Sequence, residues 1–361
     1  MSNANSVFVI AEAGVNHNGS LERALELVDV AAEAGANAVK FQTFRAEELA
    51  HAMAPKADYQ IRATGANESQ FEMLRKLELG HEAHHALLIR CRRRGIEFMS
   101  TAFDIESLNF LVEKIGVRRI KIPSGEITNG SLLLEAARAR LPLLLSTGMS
   151  TMEEIEAALG VLAFGITTPT AQPSRTAFSQ VFASEAGQLS LGALVTLLHC
   201  TTEYPATFGE VNLRAIQTLR TRFNLPVGLS DHSAGISIPA AAVALGALVV
   251  EKHFTLDRDL PGPDHHASLE PTELAAMIKS IREVSESLGD GIKRPMPLES
   301  KNIAVARRSI VALCAIREGD PLSHENVGAM RPGTGISPMN IWDWIGKTAP
   351  RNFDPGDQIG E

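Results

Sequence analysis

Cysteine is scarce in this chain. Its 361 residues include three, Cys91, Cys200 and Cys314, odd in number and far apart. That spacing excludes a disulfide framework and a thiolate metal cluster. It fits a reducing compartment, so a cytoplasmic location is expected. Positive charge is also short: 34 Lys and Arg face 42 Asp and Glu, a formal net charge of −8, and there is no long basic run. Nucleic acid and anionic membrane are therefore poor candidates as partners. No uninterrupted apolar run reaches the roughly 20 residues that cross a bilayer. The first residues, MSNANSVFVIAEAG, lack the basic segment and long apolar stretch of a signal peptide. What is present is ordinary for a globular protein, 45% apolar and 21% charged. The chain is long enough for a large core and for more than one domain.

Short β-rich apolar runs alternate with helical segments, the pattern of parallel βα units. Eight strands are expected: Val7–Ala13, Ala38–Thr43, Glu97–Phe103, Arg118–Ser124, Leu143–Gly148, Leu194–Cys200, Leu225–His232 and Val249–Thr255. Helical stretches such as Leu21–Gly35 and Ile238–Gly246 follow them and end at glycine. The count and size suit an α/β fold of the (β/α)8 TIM-barrel type over residues 1–288. A doubly wound open sheet usually has fewer strands, and no Gly-rich dinucleotide fingerprint follows the first run. Residues 44–80 form a long second βα connection on the face where barrel active sites lie. Residues 165–192, rich in Thr, Ser, Pro, Gln and Gly, read as a mobile loop insertion before the sixth strand. A linker is expected over residues 289–302, then a small strand-rich domain over residues 303–361 with Ser309–Ile316 its clearest strand. That domain carries a weak echo, Glu318–Leu322 (EGDPL) against Pro355–Ile359 (PGDQI), each a turn entering a strand.

Alternate barrel residues point inward, and those at the C-terminal strand ends reach the active site. Lys40 and Gln42 then share one face, as do Gly228, Ser230 and His232, and Glu251 and His253. Lys252 points the other way. Glu12, Lys121, Ser124 and Ser146 close their strands. Buried polar groups must be paired or must bind something. Two histidines on adjacent strand ends can ligate a divalent ion, or can be hydrogen-bonded mouth residues. The two lysines with nearby hydroxyls suit a phosphate or carboxylate, or form buried salt bridges with Glu12 and Glu251.

Other clusters weigh less. His81, His84 and His85 read as the solvated face of an Arg-rich helix. His265 and His266 lie in a loop with Pro261, Gly262, Pro263 and Asp264, and read either as bordering the mouth or as simply exposed. Cys200 ends a strand with no general base evident beside it. Asn16–Ser20 (NHNGS) is a turn before a helix N-cap, equally a structural loop or a substrate contact.

The motifs AEAGVNHNGS (11–20), VKFQT (39–43), KIPSGE (121–126), STGM (146–149), HCTTEYP (199–205), GLSDHS (228–233), EKHFT (251–255) and PGPD (261–264) occur in this order. In that order they resemble the sialic acid synthase family over nearly the full length. RPGTGISP (331–338) resembles that family's small C-terminal antifreeze-like (SAF) domain.

The resemblance implies a metal-dependent condensation of phosphoenolpyruvate with an N-acylated amino sugar. His232 and His253 would hold Mn2+, or another divalent ion such as Mg2+ or Co2+, which polarises the sugar aldehyde. Lys40, Gln42, Thr101, Lys121, Ser124, Ser146 and Thr202 would hold phosphoenolpyruvate; Thr202 stands where some members carry asparagine. Glu12, Glu251 and Lys121 would be catalytic. Glu12, Tyr204 and Asp264 would contact the sugar, with Arg331 lent by a neighbouring subunit in a domain-swapped homodimer. Among substrates, N-acetylmannosamine (giving N-acetylneuraminate) ranks ahead of 2,4-diacetamido-2,4,6-trideoxymannose (giving N,N'-diacetyllegionaminate), and the pseudaminate branch ranks third. A Schiff-base aldolase on the same barrel, using Lys40 or Lys121, and a non-catalytic carbohydrate-binding protein are the rivals. The dense inward charge argues against the second.

Overall fold

The structure, a computed structural model, describes residues 7–65 and 67–360. The chain divides into two compact units, Met1–Leu288 and Gly289–Glu361. In the first, β1 (Phe8–Gly14), β2 (Ala38–Thr43), β3 (Glu97–Ala102), β4 (Ile120–Ile122), β5 (Leu143–Ser146), β6 (Val195–Cys200), β7 (Val227–Asp231) and β8 (Val249–His253) close into a parallel barrel. β8 pairs with β1 to complete the ring. All eight expected strands are present, and helical segments lie between them, as in a (β/α)8 TIM barrel.

The helices form where apolar spacing and capping agree. Leu21–Glu33 starts at Ser20, whose hydroxyl accepts from Arg23 N at 3.3 Å. It buries Ala24, Leu27, Val28 and Ala31 along one stripe and is followed by Gly35 at φ +84°. Such stripes meet the outward strand residues in one core that includes Val9, Val39, Phe41, Leu145 and Val250.

The inward residues form a separate apolar layer: Ile10, Ala38, Met99, Leu144, Leu198 and Val249, with Phe8 packed against it. Gly228 shares this level for a steric reason. A Cβ there would lie 2.4 Å from Val249 O and 2.8 Å from Leu198 Cδ2.

Residues 165–192 are not a loop. The helix Met152–Thr167 runs into the segment, and the helices Arg175–Phe182 and Glu185–Leu194 follow. The Ser and Gly content that suggested a loop has other duties. Ser174 and Ser184 cap the two helices. A Cβ on Gly187 would collide with the Val181 carbonyl. Phe178 packs edge-on against Phe164 at 5.1 Å.

The connection 44–80 holds three short helices, Ala46–Leu49, Asp58–Thr64 and Gln70–Leu77. They cover an apolar cluster of Val15, Phe44, Met73, Leu74 and Leu77, with Phe103 packed on it.

In the second unit, β9 (Ser309–Ala312) pairs antiparallel with β10 (Val327–Met330). β9 ends four residues earlier than expected, and Ile316 makes only an isolated bridge to Phe353. The sequence echo is real. Gly319 and Gly356 both turn at positive φ, and Leu322 and Ile359 both enter the small core.

Gly228→Ala should lower the stability of the barrel by about 1–3 kcal/mol through overpacking, read as a lower urea midpoint at unchanged m-value.

Candidate active site

One strand step above the apolar layer, the same inward positions turn polar. Ile10 precedes Glu12, Ala38 precedes Lys40, Met99 precedes Thr101, Leu144 precedes Ser146, Leu198 precedes Cys200 and Val249 precedes Glu251, each by one two-residue period. These side chains floor a cavity of about 410 Å3. Every site residue named from the sequence lines it except Arg331. That residue lies in the second unit, where it is exposed and donates through Nε to Ala306 O at 2.9 Å.

The floor is a buried network. Lys40 Nζ lies 2.7 Å from Glu12 Oε2 and 3.6 Å from Glu251 Oε2, and donates to Thr101 Oγ1 at 2.6 Å. Lys121 Nζ and Ser230 Oγ both donate to Glu251 Oε1, at 3.1 and 2.8 Å. The lysines therefore pair with the glutamates, as the structural reading of the sequence allowed. They also remain aimed at the cavity.

The two carboxylates are not equivalent. Burial pushes Glu12 up to about 7; Lys40 pulls it down, and nearby Glu251 adds to the rise. Burial also opposes the charge on Glu251, but Lys121, Lys40 and Ser230 more than offset it and hold this carboxyl far below the ordinary range. One glutamate can thus carry a proton near neutrality while the other stays ionised, the separation that acid–base chemistry needs. For Lys40, burial lowers and the glutamates raise, with a net rise. A Schiff-base lysine needs the opposite shift, so Lys40 is badly placed for the aldolase reading.

On the β4–β6 side the cavity is rimmed by hydroxyls. Gly148 N donates to Ser124 Oγ at 3.0 Å, while the buried Ser146 Oγ and Thr202 Oγ1 have no partner among the described residues. A Cβ on Gly148 would lie 2.3 Å from Thr202 Oγ1 and 2.8 Å from Ser124 Oγ. Glycine here lets a backbone amide and three hydroxyls converge, a suitable cradle for an anion's oxygens.

Across the barrel stand the histidines, their rings 5.5 Å apart. Burial opposes a charge on His232, but Cys200, the Thr201 carbonyl and Glu251 more than offset it and raise this imidazole; its Nδ1 donates to Thr201 O at 2.8 Å, so that the neutral form presents its lone pair at Nε2. Burial, with His232 and Lys40 nearby, holds His253 far below the usual imidazole range, so it is neutral. Its Nδ1 is buried with no hydrogen-bond partner among the described residues, 3.9 Å from Asp264 Oδ2. Burial pushes Asp264 up to about 6, against the pull of His232. Among the described residues no group of three His, Cys, Asp or Glu forms a metal cage. Two neutral-capable imidazoles with an orphaned nitrogen nevertheless fit a divalent ion whose other positions are filled by oxygen. Tyr204 lies 4.1 Å from the His232 ring.

Several minor readings change. Cys200 does have an imidazole beside it, with Sγ 3.7 Å from His232 Nδ1. That contact crosses from β6 to the end of β7 and leaves no mark in local sequence. His84 is buried, not solvated; it bonds Thr43 Oγ1 at 2.8 Å and Gly80 O at 3.0 Å. His265 is buried as well, bonded to Thr255 Oγ1. The NHNGS turn is structural: Asn16 donates to Phe254 O and Ser268 Oγ, and Gly19 lies against the Lys76 carbonyl. Tyr59, 4.8 Å from Tyr204, also lines the cavity. It sits in an aperiodic stretch that offered no signal.

The NeuB family matches residues 27–293 of this chain. The chain belongs to that family. Among its relatives, an N,N'-diacetyllegionaminic acid synthase of Campylobacter jejuni is 46% identical, covering 98% of both chains. One of the same name from Legionella pneumophila is 45% identical over 98% of this chain and 93% of its own. A solved N-acetylneuraminic acid synthetase from Leptospira borgpetersenii superposes with TM-score 0.66 at 35% identity, covering 84% of this chain and 94% of that one. This NeuB-family chain is accordingly a carbon–carbon bond-forming synthase of the nonulosonic acid type, which uses phosphoenolpyruvate. No helix among its described residues is long and apolar enough to cross a membrane.

Two outcomes test the site's electrostatics. In metal-free protein, infrared difference spectra should show a carboxyl group losing its proton near pH 7, a band missing from Glu12→Gln. Behind the site, Lys252 Nζ is fully buried 2.7 Å from Asp231 Oδ2. Lys252→Met should cost about 3–5 kcal/mol in chemical denaturation by stranding that aspartate.

Proposed function

We propose that this protein is an N,N'-diacetyllegionaminate synthase, condensing phosphoenolpyruvate with 2,4-diacetamido-2,4,6-trideoxymannose and releasing phosphate. The observation that carries the choice of sugar is near full-length identity of 46% and 45% to two synthases of that name. It reverses the order taken from sequence, where N-acetylneuraminate came first. N-acetylneuraminate synthase is the second reading, favoured by the 35% likeness to the Leptospira synthetase.

The site residues divide the work. Lys40, Lys121, Gln42 and Thr101, with the Ser124, Ser146 and Thr202 hydroxyls, hold the phosphate and carboxylate of phosphoenolpyruvate. His232 and His253 would hold a divalent ion, Mn2+ by family resemblance, that supplies Lewis-acid polarisation of the sugar aldehyde. Tyr204, Asp264 and Glu12 orient the open-chain sugar. C3 of phosphoenolpyruvate bonds to the aldehyde carbon, whose oxygen takes up a proton. Water then adds to cationic C2 and gives up a proton, and the adduct loses phosphate by C–O cleavage to leave the ketone. Glu251, held ionised, sets negative charge beside the cationic carbon. Glu12, the carboxyl that exchanges its proton near neutrality, delivers or collects one at the aldehyde or the water. Glu12→Gln should lower kcat by roughly 10²–10⁴-fold, with phosphoenolpyruvate binding retained.

The proposal includes a homodimer in which Arg331 serves the sugar site, and an antifreeze-like identity for the second unit; sedimentation of the full chain tests the dimer. The reaction is tested by phosphate release from phosphoenolpyruvate with Mn2+ and either sugar, with and without EDTA. EDTA-sensitive release with a much higher kcat/KM for the trideoxy sugar is expected. Preference for N-acetylmannosamine would restore the second reading. Release with neither sugar would remove the synthase assignment.

A further inference from the structure

The cavity has two chemistries. Its floor and its β4–β8 sides carry the charges, hydroxyls and imidazoles described above. Its remaining side comes from the connection 44–80, where Leu49, Met73, Leu74 and Leu77 face the cavity. The neutral polar groups of Tyr59, Gln60 and Gln70 join them. Gln60 Oε1 accepts from Ala57 N at 3.0 Å and from Gln70 Nε2 at 3.4 Å, which leaves the Gln70 carbonyl oxygen as an acceptor beside it. The lysines among the lining residues are Lys40 and Lys121, both on the floor and both tied to glutamates; no arginine is among them. Among the described residues of this chain, this side thus offers apolar surface and amide groups, and no lysine or arginine.

A run of rings leads to it from the reacting end. Tyr204 lies 4.1 Å from His232, and Tyr59 lies 4.8 Å from Tyr204. For a sugar whose aldehyde is held at the histidines, these rings offer a path toward the connection 44–80.

We propose that Leu49, Met73, Leu74 and Leu77, with the Gln70 carboxamide, form the wall that reads the far end of the sugar. It would select a C6 methyl and a C4 acylamino group over hydroxyls or a phosphate. The inference rests on the synthase reading and names the residues that set its specificity. A methyl group gains from apolar contact, whereas a hydroxyl buried against Leu and Met loses its water without a partner. An acylamino group can pair with a carboxamide. A sugar phosphate would meet no lysine or arginine among the described residues of this chain that form the wall.

The experiment compares kcat/KM for 2,4-diacetamido-2,4,6-trideoxymannose and N-acetylmannosamine in the full-length Mn2+-loaded protein and in Met73→Gln, Leu49→Asn and the control Met73→Leu. Thermal melting monitors folding, and the KM for phosphoenolpyruvate is measured in parallel. The parent should prefer the trideoxy sugar. Met73→Gln and Leu49→Asn should each cut that preference by about tenfold or more, through KM for the sugar, with KM for phosphoenolpyruvate unchanged. Met73→Leu should retain the preference. A parent that prefers the trideoxy sugar while both polar variants keep the ratio would overturn the wall and leave the function standing. A parent that prefers N-acetylmannosamine would overturn both. Leu49 is only half-buried, so its variant remains informative if a change at buried Met73 disturbs folding.

Discussion

Two lysines and two glutamates share the inside of one barrel, and each is tolerable there only because of the others. Lys40 bridges Glu12 and Glu251, and Lys121 closes the network on Glu251. A single uncompensated charge at such depth would cost several kcal/mol. With both glutamates ionised the four charges sum to zero. With Glu12 protonated the sum is +1. The proton on Glu12 therefore also sets how strongly the floor attracts an anion. Under the proposed function, arrival of phosphoenolpyruvate and uptake of a proton would be linked, each favouring the other.

The apolar layer beneath makes this possible. Ile10, Ala38, Met99, Leu144, Leu198 and Val249 fill the barrel below the charges, so the network rests on close-packed apolar side chains and opens toward the cavity. The division between strands and connections follows. Groups that handle the reacting atoms stand on strand ends, where backbone pairing fixes them. The groups proposed to meet the rest of the sugar stand on the connection 44–80, outside the barrel's own pairing.

The strands were legible because each is a short apolar run, and the floor was legible because strand parity converts a position into a direction. Glu12, Lys40, Lys121, Glu251, His232 and His253 all follow from that rule. Pairings between strands far apart in sequence were not legible, such as Cys200 with His232 or Tyr59 with Tyr204. No local pattern records them. The helices within residues 165–192 were missed because serine caps and close-packed glycines look like loop composition until their partners are known. His84 was missed because a helix rich in arginine hides one buried turn. The order of the two sugars depended on overall identity to relatives, which no single motif carries.

The last strand of the barrel, β8, carries Glu251, Lys252 and His253 in succession, all buried, with the middle residue facing the opposite way. A slip of one residue in its pairing with β1 and β7 would turn Lys252 into the barrel. It would also drive Glu251 and His253 in among the apolar helices. Both faces of the strand would then hold the wrong charge. The alternation that builds the site thus doubles as a proofreading device for ring closure, because the correct register is the one in which every ionised group finds its counter-charge.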